Sequence, residues 1–135
     1  MIPIITIDRG LEEPVYGQVA HQIRQAIASG ALAPGTTLPP VRRLAGDLGV
    51  NLNTVARAYR LLEGEGFLVI RGRSGVTVAA PAEEGEHSAY AELLVHLRTT
   101  LARLRQVGLT GDELLAVVRR EALALDGGGT ERSNE

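Results

Sequence analysis

Apolar positions recur along the chain at helical spacing in some stretches and as short continuous or alternating runs in others, and these patterns divide it into elements. From Pro14 onward Val15, Val19, Ile23 and Ile27 step by four, which predicts a first helix over roughly residues 14–29, closed by Gly30. The turn signal Pro34-Gly35 follows, and Pro39-Pro40 opens a short second helix whose apolar face is Val41, Leu44, Ala45 and Leu48. Gly49 stops it. Asn51 is placed to cap a third helix in which Val55, Tyr59 and Leu62 share a face, the opposite face being polar. After Gly64 and Gly66, residues 67–70 and 76–78 predict two strands joined by Arg71-Gly72-Arg73-Ser74-Gly75, a hairpin with a basic tip. Upstream of all this, Ile2, Ile4, Ile5 and Ile7, interrupted by Pro3, predict a brief edge strand.

Residues 80–87 combine Pro, Gly and acids without apolar periodicity and predict a linker. Beyond it Tyr90, Leu94, Leu97, Leu101 and Leu104 step by 4, 3, 4 and 3, a narrow seam along one helix. Gly108 interrupts, and Thr110-Gly111-Asp112-Glu113 has the form of a capping box opening a further helix with Leu115, Val118, Ala122 and Leu125 on one side. A lone helix cannot bury such a seam, so Tyr90, Leu94, Leu97, Leu101, Leu104, Leu115, Val118 and Leu125 are the candidate dimerisation residues of a homodimer. The glycine-rich tail 127–135 is expected to be disordered. The predicted fold is mainly α with a small β-hairpin: a winged helix-turn-helix domain over 1–79, the linker, and a C-terminal helical hairpin over 88–126.

Composition changes this picture little. The 44% of apolar and 22% of charged residues are those of an ordinary globular protein, and with aromatics at 3% the core must be aliphatic. No cysteine is present, which excludes disulfides and thiolate metal sites. The N-terminus has neither a basic start nor a long apolar run, and no stretch is apolar enough to span a bilayer, so a cytoplasmic protein without membrane contact is expected. Charge matters more. The formal net charge is -2, yet residues 1–80 hold eight Arg against six acids while residues 81–135 hold six Arg against ten acids. The first part is therefore the candidate partner for phosphate.

A recognition helix must fill the core with one face and offer hydrogen-bonding side chains to a major groove with the other. The third helix meets both demands: Asn53, Arg57 and Arg60 lie at i, i+4 and i+7 on its outer face, with Asn51 and Thr54 near its N-terminus. Arg42 and Arg43 begin the second helix, where a helix-turn-helix crosses the DNA backbone, and Arg71, Gly72 and Arg73 form the hairpin tip. The plainer alternative is a solvated helix face whose arginines pair with Glu63 or Glu65. Catalysis has little to stand on, because His21, His87 and His96 are scattered and form no metal-binding or catalytic set; no cofactor and no metal is expected. A winged-helix module that binds protein without DNA stays open as the competing function. The six Arg against three acids between Pro40 and Gly75 favour DNA.

The run LPPVRRLAGDLGVNLNTVARAYRLLEGEGFLVIRGRSGVTV from Leu38 to Val78, with PVYGQVAHQIRQAIASGALAPGTTLP upstream, resembles the DNA-binding domain of the GntR family of bacterial regulators. With the short C-terminal helical hairpin, it is similar to the YtrA-type subfamily, in which such a segment serves for dimerisation. The resemblance implies a dimeric repressor on a palindromic double-stranded operator, with control of a neighbouring transporter operon. It places Arg42, Asn51, Asn53, Thr54, Arg57, Arg71 and Gly72 where the family meets DNA. Leu52 and Ala56 stand where many relatives have Arg, so base preference does not carry over. Other subfamilies add a large effector domain or an aminotransferase-like domain, and neither is expected within these 135 residues; any effector ligand is unidentified.

Overall fold

The computed structural model describes residues 4–72, 75–80 and 87–126. Ile2, Pro3, the linker residues 81–86, Arg73 and the tail 127–135 lie outside the described residues. The described residues divide into two compact units, one running to Ala80 and also taking in Leu125 and Asp126, the other holding the last two helices. Among the described residues, five helices and a three-stranded antiparallel sheet are formed, in the order α1 (Val15–Ala28), β1 (Thr37–Leu38), α2 (Val41–Leu48), α3 (Leu52–Gly64), β2 (Leu68–Ile70), β3 (Val76–Val78), α4 (His87–Gln106) and α5 (Gly111–Ala124).

In the first unit each helix ends where the local sequence dictates. Gly30 and Gly49 adopt φ of 88° and 68°, a left-handed conformation that costs a residue with a Cβ more than glycine. After Gly30 the N–H of Leu32 returns to the carbonyl of Ala26, seating Leu32 in the core. After Gly49 the N–H of Val50 bonds the carbonyl of Ala45, and this tight turn delivers the chain to α3. Asn51 caps α3 as predicted, its Oδ1 accepting from the Asn53 N–H at 2.7 Å.

Val19, Ala20 and Ile23 of α1, Leu44 and Ala45 of α2 and Val55, Ala58, Tyr59 and Leu62 of α3 form the core with Leu32, Leu38, Leu68, Val76 and Val78. The sheet order is β1-β3-β2: Thr37 faces Thr77 and Leu38 faces Val76 on one side of β3, while Leu68, Val69 and Ile70 face Val78, Thr77 and Val76 on the other. β1 is not legible as a strand in the sequence, since two residues are too few for alternation to register; it exists because the Pro34-Gly35 turn returns the chain to β3, where Gly35 N–H donates to Val78 and Val78 N–H to Thr36.

The predicted N-terminal edge strand takes another form. Among the described residues, 4–8 join no strand of the sheet and pair instead with two glutamine side chains of α1. Gln22 accepts from the Thr6 N–H and donates to the Thr6 carbonyl, and Gln18 does the same for Asp8. Residues four apart on a helix are about 6 Å apart along its axis and residues two apart on an extended chain about 6.6 Å, so the two spacings match. Gln18 is buried, and its carboxamide is satisfied because it also donates to the Glu13 carbonyl.

In the second unit α4 and α5 contact each other across the turn at Gly108, whose φ is 117°. The capping box forms: Thr110 N–H donates to Glu113 Oε1 at 2.7 Å and Glu113 N–H to Thr110 Oγ1 at 3.2 Å. The half-buried leucines and valine of the hairpin are Leu94, Leu101, Leu104, Leu109, Leu114 and Val117. Tyr90, Leu97, Leu115, Val118 and, just past α5, Leu125 are exposed. The sheltered side of α5 is thus carried by Leu114 and Val117, one residue before the stripe of Leu115 and Val118 read from the sequence.

Candidate nucleic-acid interface

α3 is held by its neighbours along its apolar side, with Val55, Ala58, Tyr59 and Leu62 fully buried. It packs on α1 and α2 and leads into β2. Its other side carries Asn53, Arg57 and Arg60, all exposed, and Leu52 beside them is exposed too. Thr54 and Ala56 are half-buried. Arg42 and Arg43 are exposed in the first turn of α2, directly after Pro40, whose carbonyl accepts from Leu44.

The start of α2 is fixed from below by a contact that periodicity does not reveal. The hydroxyl of Tyr59 donates to the Pro39 carbonyl at 2.7 Å, linking the middle of α3 to the residue before Pro40. Burial pushes this hydroxyl's pKa well above the usual tyrosine value, so it stays a donor. The available signal is composition: a buried tyrosine in a chain poor in aromatics requires a polar partner. A second unforeseen tie joins the N-terminal segment to the turn between α2 and α3, where Arg9 Nη2 donates to the Gly49 carbonyl at 3.2 Å.

The candidate residues are not equivalent. Asn51 directs its side-chain oxygen to the cap of α3, which leaves its amide nitrogen and the oxygen's second lone pair for other partners. Arg57 lies over the ring of Tyr16 from α1, 3.8 Å from the centroid. Arg60, by contrast, makes no ion pair or ring contact among the described residues. The alternative of α3 arginines paired with Glu63 or Glu65 is not realised among the described residues: Glu65 is taken by Arg24 of α1 at 2.9 Å, with Arg24 also over the Phe67 ring, and Glu63 forms no ion pair there. The hairpin tip closes on itself, Arg71 N–H donating to Gly75 and Gly75 N–H to Gly72, with both glycines at positive φ. Arg71 and Gly72 are exposed there, and Arg73 lies outside the described residues.

No three His, Asp or Glu side chains gather into a metal-binding group among the described residues, and none of the described helices is long and apolar enough to cross a membrane.

Residues 15–78 match the family of bacterial regulatory proteins named for gntR. The HTH-type transcriptional repressor YtrA of Bacillus subtilis is 41% identical over 52% of this chain and 55% of its own length. YtrA from Sulfolobus acidocaldarius, a GntR-family transcription factor of known structure, is 40% identical, with a TM-score of 0.60 over 74% of this chain and 99% of that one. The DNA-binding domain of AraR, solved in complex with operator ORX1, is 27% identical, with a TM-score of 0.50 over 55% of this chain and 93% of that one. The chain spans between 14% and 62% of the length of the first curated relatives it matches. The similarity that runs through the winged helix and, in the Sulfolobus protein, over nearly the whole of a solved chain settles the assignment: this protein belongs to the GntR family of bacterial regulatory proteins and is YtrA-like.

Proposed function

We propose that this protein is a DNA-binding transcription regulator, a dimeric repressor that occupies a palindromic operator. The observation that carries the reading is α3: a helix locked into the core on one side while Asn53, Arg57 and Arg60 stand exposed on the other. Arg42 and Arg43 on α2 and Arg71 and Gly72 at the hairpin tip supply backbone contacts on either side of the groove that α3 reads, with Arg73 a further candidate from its sequence position, and Asn51 and Thr54 sit at its N-terminus. The operator-bound AraR domain supports DNA as the partner, and the name of the Bacillus relative supports repression.

Dimerisation is supported by the apolar side chains that the hairpin leaves uncovered. Tyr90, Leu97 and Leu115 are 69%, 48% and 59% exposed, an unfavourable state for a short helical pair in water unless a second copy covers it. With Val118 and Leu125 they form the surface offered to the partner, while Leu94, Leu101 and Leu104 brace the hairpin beneath. Two recognition helices would then enter successive major grooves about one helical turn apart. Such a protein acts in the cytoplasm, and its subfamily resemblance points to a transporter operon as target.

The test is a titration of the full chain against the duplex upstream of its own reading frame, repeated at rising salt. Counterion release requires affinity to fall steeply with salt. Absence of binding at low salt would instead favour a winged-helix module that recognises protein.

A further inference from the structure

Among the described residues, Arg57 is the one outer-face residue of α3 held by a contact to another helix in its exposed position, and what holds it is an aromatic ring outside the helix-turn-helix. Tyr16, in the first turn of α1, is half-buried and packs against the core, so its ring is a fixed platform. The Arg57 guanidinium carbon lies 3.8 Å from the centre of that ring, within the range of a cation–π contact. Stacking of this kind engages the flat face of a guanidinium and leaves the N–H groups at its edge available to acceptors. An unrestrained arginine stem has many rotamers to give up before it can make a bidentate contact. Arg60, one turn further along the same face, has no such support among the described residues.

We propose that Tyr16 is a positioning residue for DNA recognition, its ring holding Arg57 in the orientation in which the guanidinium edge meets a base, so that sequence preference at that position depends on α1. This rests on the reading that α3 enters a DNA groove. Tyr16 itself touches no base; it acts through Arg57. The ring face is the operative feature and the hydroxyl is not, which makes phenylalanine the conservative replacement.

The experiment is selection of duplexes from a random-sequence library by the full chain, with Tyr16→Phe, Tyr16→Leu, Arg57→Ala and the Tyr16→Leu/Arg57→Ala pair run beside it and their melting temperatures recorded. Arg57→Ala should lose preference at one symmetric position. Tyr16→Leu should weaken preference at that same position by about two- to fivefold, the size of an exposed cation–π contact. Tyr16→Phe should retain it, and the pair should be no worse than Arg57→Ala alone. A purely structural Tyr16 would lower melting temperature and affinity for every duplex equally, leaving the preference intact; that result, or additive losses in the pair, overturns the proposal. So does a selected motif that Arg57→Ala leaves unchanged, although DNA binding by α3 would then stand. Recovery of no motif by the unaltered chain removes both readings together.

Discussion

Replacing Tyr59 by phenylalanine separates one hydrogen bond from the packing that surrounds it. The ring is fully buried in the core that α1, α2, α3 and the sheet share, and phenylalanine keeps its shape. What disappears is the 2.7 Å bond to the Pro39 carbonyl, at a residue that is itself half-buried. A neutral hydrogen bond contributes about 0.5–1.5 kcal/mol net, and an acceptor left short of water adds to the loss, so a destabilisation of about 1–2 kcal/mol is expected. For a unit of this size each kcal/mol lowers the melting temperature by about 4–8 °C. The effect should depend on pH in a defined direction. The hydroxyl's pKa is raised by burial in the folded state, so its contribution is fully present below the unfolded tyrosine value of about 10. Above that pH the unfolded chain loses a proton that the folded chain keeps, and stability falls as pH rises. Urea unfolding followed by circular dichroism at steps from pH 7 to pH 11 would measure both. The gap between parent and Tyr59→Phe should narrow above pH 10, because only the parent carries this titration. Equal stability at pH 7, or a gap that stays constant to pH 11, would refute the argument that this bond anchors the start of α2.

Three further outcomes are expected. Arg57→Ala should weaken binding to the selected operator by about 1–3 kcal/mol and relax preference at one symmetric position, as read by competition with base-substituted duplexes. Leu97→Glu should give a helical monomer by light scattering with much reduced operator affinity, since Leu97 is exposed and belongs to the surface proposed for a partner; Leu101→Glu should also lose helix content, because Leu101 is half-buried within the hairpin. Asn51→Ala should cost about 1 kcal/mol in urea unfolding through loss of the α3 cap, with Asn51→Asp recovering most of it.

Whatever depends on neighbours a few residues apart can be read from the order of the amino acids. The spacing of Val15, Val19 and Ile23, the caps at Asn51 and Thr110, and the glycines at 30, 49 and 108 each act within a turn or two of chain, so helix identity and helix ends are legible without a fold. The outer face of α3 follows from the same periodicity. The pairings between distant segments arise only in the folded chain. β1 is two residues long and exists only against β3; the extended N-terminal segment finds the carboxamides of Gln18 and Gln22 and not a strand; Arg57 lies on Tyr16, and Tyr59 reaches Pro39. On α5, Leu114 and Val117 alternate with Leu115 and Val118 as two stripes about 100° apart, equally apolar in sequence, and only the packing of α4 selects which pair is sheltered. A local pattern states which side chains can share a face, but the energy that chooses among such faces comes from surface brought near by the rest of the chain.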